Sequence, residues 1–89
     1  MEEINIEWCK QHDMILAQTG FLRDIFYRLE EDGNLIFIYA QSTTGERKIY
    51  VRNPHSLKGC ELTVPKINIL TTDDLKKLCE LVGIEYPFK

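Results

Sequence analysis

The stretch Asn34–Asn53, NLIFIYAQSTTGERKIYVRN, decides the fold. Leu35, Ile36, Phe37, Ile38 and Tyr39 form a short apolar and aromatic run rich in β-prone residues. Periodicity alone does not separate such a run from a buried helix segment, but its flanks do. Asp32-Gly33-Asn34 stands before it and Ser42-Thr43-Thr44-Gly45 after it, and both are turn chemistry. The run therefore reads as a strand with both faces covered. A second strand follows, in which Ile49 and Val51 point one way and Lys48, Tyr50 and Arg52 the other. That alternation predicts a half-buried strand with one wet face, ended by Pro54.

Working outward, Met14–Glu31 supports two patterns. As a helix, Phe21, Leu22, Ile25, Phe26 and Leu29 make one apolar stripe. As a strand, Ile25, Tyr27 and Leu29 alternate with Phe26, Arg28 and Glu30, and Asp32-Gly33-Asn34 turns the chain into Leu35. The turn signal favours the strand over Ile25–Glu30, with Met14–Gln18 as a further short strand. Before it, Ile4, Trp8 and His12 fall at helical spacing, which predicts a helix from Glu2 to about His12, or a shorter one capped by Asn5. Downstream, Asn53–Gly59 reads as a loop, and Cys60, Leu62 and Val64 alternate in a short edge strand stopped by Pro65. Thr71 and Asp74 resemble a capping box, Leu75, Leu78, Cys79 and Val82 make a narrow core stripe, and Gly83 is a natural stop. Ile84, Tyr86 and Phe88 form an apolar tail.

The expected architecture is α+β, a single domain over residues 1–89. An antiparallel sheet of three to five strands carries a helix near each end, α-β-β-β-α, with both helices on one face. If Leu35–Tyr39 is central, its second row of side chains needs cover, from the tail Ile84–Phe88 or from a partner protein.

With 44% hydrophobic and 28% charged residues the composition is that of an ordinary globular domain. The run at Leu35–Tyr39 is far short of the roughly 20 apolar residues of a spanning helix. The start, Met1-Glu2-Glu3, is acidic where a secretory signal would be basic, and the cysteines (Cys9, Cys60 and Cys79) are odd in number without paired spacing. Both place the chain in the cytoplasm with free thiols. Cys79 and Cys60 are expected to be protected in the core and Cys9 to be the most reachable. The net charge of −3 is uneven. Residues 1–34 hold three Lys/Arg against eight Asp/Glu, whereas residues 35–66 hold five against two.

No constellation carries catalysis. Cys9 and His12 lie at i, i+3, but no second close ligand pair makes a zinc site, and no orienting group or oxyanion device makes a nucleophile. Glu30, Glu31 and Asp32 form a solvated turn, because apolar residues occupy the register of a Ca²⁺ loop. No catalytic residue, metal or cofactor is expected. Thr72-x-x-Leu75-Lys76-Lys77-Leu78-x-x-x-Val82-Gly83-Ile84 is similar to one helix of the small SAP and LEM helix-extension-helix motifs. Their second helix has no counterpart here, so no function follows.

Two functional readings remain. The first is a non-catalytic protein-binding module, an adaptor, regulator or inhibitor, with Ile84, Tyr86 and Phe88 as candidate apolar contacts. Its simplest form is a homodimer through a sheet edge, and no membrane is involved. The alternative is single-stranded nucleic-acid binding on a basic and aromatic strand face, Arg47, Lys48, Tyr50 and Arg52, with His55, Lys58 and Lys66 nearby in sequence. A pI of 5.3 counts against the alternative.

Overall fold

In the computed structural model of the chain, which describes residues 2–18, 23–29, 33, 35–65 and 68–88, the alternating segment is the fourth of five consecutive strands. They are β1 (Ile15–Gln18), β2 (Arg23–Leu29), β3 (Leu35–Ser42), β4 (Arg47–Arg52) and β5 (Gly59–Val64), antiparallel throughout and ordered in the sheet as in the chain. Helix α1 (Ile6–Gln11) precedes them and α2 (Thr72–Val82) follows. The class is α+β with a helix near each end, and the five strands between them lie within the expected three to five. The strand reading of Met14–Gln18 and Ile25–Glu30 holds in β1 and β2, with residue 30 outside the described residues. Its cause is pairing. Ile25, Phe26 and Tyr27 sit opposite Ala40, Tyr39 and Ile38 of β3, and β2 also gives β1 a partner. A helix there would have left the central strand with a bare edge.

The turn between β3 and β4 follows from its residues. Gly45 lies at φ 89 and donates its N–H to the Ser42 carbonyl at 3.1 Å. The Ser42 side-chain oxygen accepts from the Glu46 N–H at 3.1 Å. Gly33, ahead of β3, also takes a left-handed φ, 85.

One face of the sheet is buried under both helices. Phe26, Phe37, Tyr39, Ile49 and Val51 form a single core with Trp8 and Cys9 of α1 and with Leu75, Leu78, Cys79 and Val82 of α2. Helix α2 is delimited as its sequence requires. The Thr71 N–H donates to Asp74 Oδ2 at 3.0 Å, and Gly83 turns left-handed at φ 81. The Ile84 N–H then reaches back to the Cys79 carbonyl at 3.0 Å, closing the helix end.

Helix α1 is shorter than the Glu2–His12 span. The Asn5 side chain accepts the Trp8 N–H at 2.9 Å and starts the helix there. Glu2 to Ile4 instead pair in extended form with the entry to α2: the Ile4 N–H donates to the Leu70 carbonyl at 2.7 Å, and the Thr72 N–H to the Glu2 carbonyl at 2.9 Å. This clasp ties the two ends of the chain across the buried face. Among the described residues no helix is long and apolar enough to cross a membrane.

The open face of the sheet as candidate binding surface

Residues directly opposite in paired strands share a face, so the registers define what the uncovered side displays. One row runs Ile15, Tyr27, Ile38, Tyr50, Glu61 across all five strands. The next runs Ile25, Ala40, Lys48, Thr63 across β2 to β5. Arg23 lies beyond the second row, and Arg52 shares the Tyr50 face of β4. Ile25, Tyr27, Ile38, Ala40 and Tyr50 are all half-buried, although their neighbours Phe26, Phe37, Tyr39, Ile49 and Val51 are fully enclosed. The open side is concave. A groove of about 360 Å³ has Ile25, Ile38 and Ala40 as its floor and Arg23, Lys48, Tyr50 and Glu61 around it. It adjoins a wholly apolar hollow of about 340 Å³ lined by Ala17, Ile25, Tyr27, Leu29 and Ile38.

Tyr50 owes its place to Gly59. A Cβ at Gly59 would run into the Tyr50 hydroxyl and lie 2.9 Å from the ring carbon Cζ, so the missing side chain gives the ring its room against β5. Lys48 Nζ meets Glu61 Oε2 at 3.0 Å, both half-exposed, a surface pair worth about 0–1 kcal/mol. The face is thus apolar at its centre and cationic at Arg23, Lys48 and Arg52, with Glu61 as its carboxylate.

Of the residues expected on the basic face, Lys48, Tyr50 and Arg52 are brought together and Arg47 is not. Arg47 belongs to the buried side with Ile49 and Val51, and it is 7% exposed. Its guanidinium donates to Glu3 Oε1 at 3.1 Å, to the Ile4 carbonyl at 3.1 Å and to the Asn68 carbonyl. Three acceptors from two distant segments satisfy a charge that water would otherwise hold. His55 and Lys58 are exposed on the loop after β4, and Lys66 lies outside the described residues.

The expected apolar contact is displaced too. Phe88 is 3% exposed, its ring centre 4.7 Å from Trp8 and 4.9 Å from Phe37, with the Arg28 guanidinium 5.0 Å above it. Tyr86 packs beside it at 5.7 Å, and Ile84 is partly buried against the same core. The tail therefore completes the helix-covered side, and the second row of β3 stays uncovered among the described residues. The order of thiol access also differs. Cys9 is fully buried, and burial pushes its thiol up to about 12. Cys79 is buried as well and raised to about 11. Cys60 faces inward opposite Val51, but β5 is an edge strand, so it is the more accessible of the three.

A raised thiol is the reverse of an activated nucleophile. His12 is engaged elsewhere, its Nδ1 2.8 Å from the Trp8 carbonyl oxygen and its ring stacked on Trp8 with centres 4.2 Å apart. The described residues contain no group of three His, Cys, Asp or Glu able to hold a metal ion. What sequence reading missed was the contribution of β2, Arg23, Ile25 and Tyr27. The alternation of Ile25, Tyr27 and Leu29 signalled one face, but only the β2–β3 register shows that it is the face of Tyr50.

Comparison with protein-family models, curated protein sequences and solved structures finds no match to this chain.

Proposed function

We propose that the chain is a non-catalytic protein-binding module that seats an apolar, acid-flanked segment of a partner protein on the open face of its sheet. One observation carries this reading: the row Tyr27–Ile38–Tyr50 and its neighbour Ile25–Ala40 form a concave apolar floor with no element packed over it among the described residues. Apolar surface left in water at the centre of a sheet is stabilised by whatever covers it. Arg23, Lys48 and Arg52 select against basic partners and favour carboxylates at the ends of the seated segment. Three unpaired cysteines, two of them fully enclosed, support placing the protein in the cytoplasm.

The test is panning of a random peptide library on the full chain, followed by titration of enriched peptides into isotope-labelled protein. Enriched peptides should combine apolar residues with Asp or Glu, and amide shifts should cluster at Ile25, Ile38 and Tyr50. Enrichment without shifts on that face, or no enrichment at all, would overturn the reading.

A second reading, single-stranded nucleic acid, draws on a different feature of the same face: Tyr27 and Tyr50 flank Ile38 in one row, with cations beside them. Stacked bases on those rings would be worth about 1–3 kcal/mol each. The inward turn of Arg47 and the Lys48–Glu61 pair weaken the field this needs. Titration with mixed oligonucleotides at low salt decides it, since phosphate contacts must show steep salt dependence.

A further inference from the structure

We infer that the outer edge of β1 is a self-association surface through which two copies of this chain join their sheets. β1 is outermost in the sheet, so its outward N–H and C=O groups have no strand beside them among the described residues. It also exposes apolar side chains on both faces at once. Ile15, 47% exposed, lies on the open side in the Tyr27 row, and Leu16, 45% exposed, on the helix side in the Phe26 row. A helix or loop laid on the sheet would cover one of these and leave the other wet. A strand laid alongside covers both and satisfies the backbone.

The two edges of the sheet differ in how they are guarded. β5 carries Glu61, paired with Lys48, and is followed directly by Pro65. The sequence of β1, Ile-Leu-Ala-Gln, has neither charge nor proline. Its one irregularity is the register shift between Leu16 and Gln18, which leaves Ala17 without a partner on β2 and confines regular pairing with β2 to Ile15 and Leu16.

The occupant that fits is a second copy. A two-fold interface must be self-complementary, and a neutral strand opposes itself without like charges. A two-fold axis perpendicular to the sheet at Leu16 sets Leu16 against its own copy on the helix side. On the open side it sets Ile15 against Ala17 of the second copy. Parity is respected, because directly opposed residues share a face. Association through the open faces would instead bring together two surfaces that each carry Arg23, Lys48 and Arg52. The edge inference is independent of what the open face binds, and the joined sheet presents both open faces on the same side.

The interface is short, at the small end of specific contacts, so association should be weak, with a dissociation constant on the order of 100 μM. Sedimentation velocity on the full chain should show a mass rising from 10.5 kDa toward twice that value with concentration. Leu16→Lys and Leu16→Glu should each stay monomeric at the highest concentration, and an equimolar mixture of the two should regain the dimer. Leu57→Lys, an exposed apolar residue on the loop between β4 and β5, should leave the wild-type behaviour unchanged. Independently of any variant, amide exchange at Ile15–Ala17 should slow as wild-type concentration rises. A wild-type monomer at about 1 mM, ten times the expected constant, would overturn the inference. So would a dimer that survives both Leu16 variants, a mixture that stays monomeric, or exchange at β1 that ignores concentration.

Discussion

Phe37 and Ile38 are adjacent on the central strand and live in different solvents. Phe37 is fully enclosed between the sheet, Phe88 and the helix layer, while Ile38 lines an open groove. The same division separates Arg47 from Lys48. The first is buried with three protein acceptors, and the second is half in water with one carboxylate. A five-stranded sheet with helices on one side must leave its other side to water or to a partner. In this chain that other side is apolar at its middle, where a merely solvated face would be polar.

The sharpest way to break the comparison is a pair of truncations. Phe37→Ala should cost about 3–5 kcal/mol, as a large core side chain leaving a cavity does. Ile38→Ala should cost less, about 1–2 kcal/mol, since its side chain is only partly buried and lines a groove open to water. Urea unfolding of both variants is the measurement. Equal costs would mean that the open face is covered in solution, by a second copy or another element.

The charged neighbours sharpen the same contrast. Arg47→Ala should destabilise by about 2–3 kcal/mol, because the carbonyls of Ile4 and Asn68 lose a buried donor. Lys48→Ala should change stability by no more than about 0.5 kcal/mol. Thermal unfolding of the two in parallel would compare them directly, and similar losses would contradict the sidedness of β4.

Alkaline pH should act through the covered side. Burial raises Cys9 from 9.0 to about 12 and Cys79 from 9.0 to about 11, so the folded state keeps protons that the unfolded chain releases first. Stability from these groups is complete below pH 9 and is lost as the pH rises toward 11 to 12. The slope approaches about 1.4 kcal/mol per pH unit for each thiol that the unfolded chain has ionised. Urea midpoints at pH 8, 9, 10 and 11 should fall progressively, and Cys9→Ala should flatten the fall although it lowers stability at pH 8.

A small effect on stability is expected at Gly59. Gly59→Ala should cost less than about 1 kcal/mol, because the added methyl meets only the far end of the Tyr50 side chain. It should nevertheless displace that ring and weaken binding by any partner seated on the groove. Ring-proton shifts of Tyr50 would report the displacement, and unchanged shifts would show that Tyr50 does not rest on Gly59.

Much of this molecule was local, and what is local can be read along the chain. The alternation of Lys48 to Arg52, the turn at Ser42–Gly45, the Asn5 and Thr71 caps and the Gly83 stop each depend on residues within a few positions of one another. Backbone hydrogen bonding and side-chain direction determine them without help from the rest of the fold. Strand parity puts Arg47 with Ile49 and Val51, although a charged side chain ordinarily belongs in water. The carbonyls of Ile4 and Asn68 that overrule that argument lie 43 and 21 positions away in the chain. Distance in sequence also hid the seat of Phe88 between Trp8 and Phe37, the full burial of Cys9, and the union of Tyr27 with Tyr50 on one face. Those outcomes required the sheet to close and the clasp of Glu2–Ile4 on Leu70–Thr72 to form. Burial of this kind is a property of which surfaces meet, and no single segment carries that information.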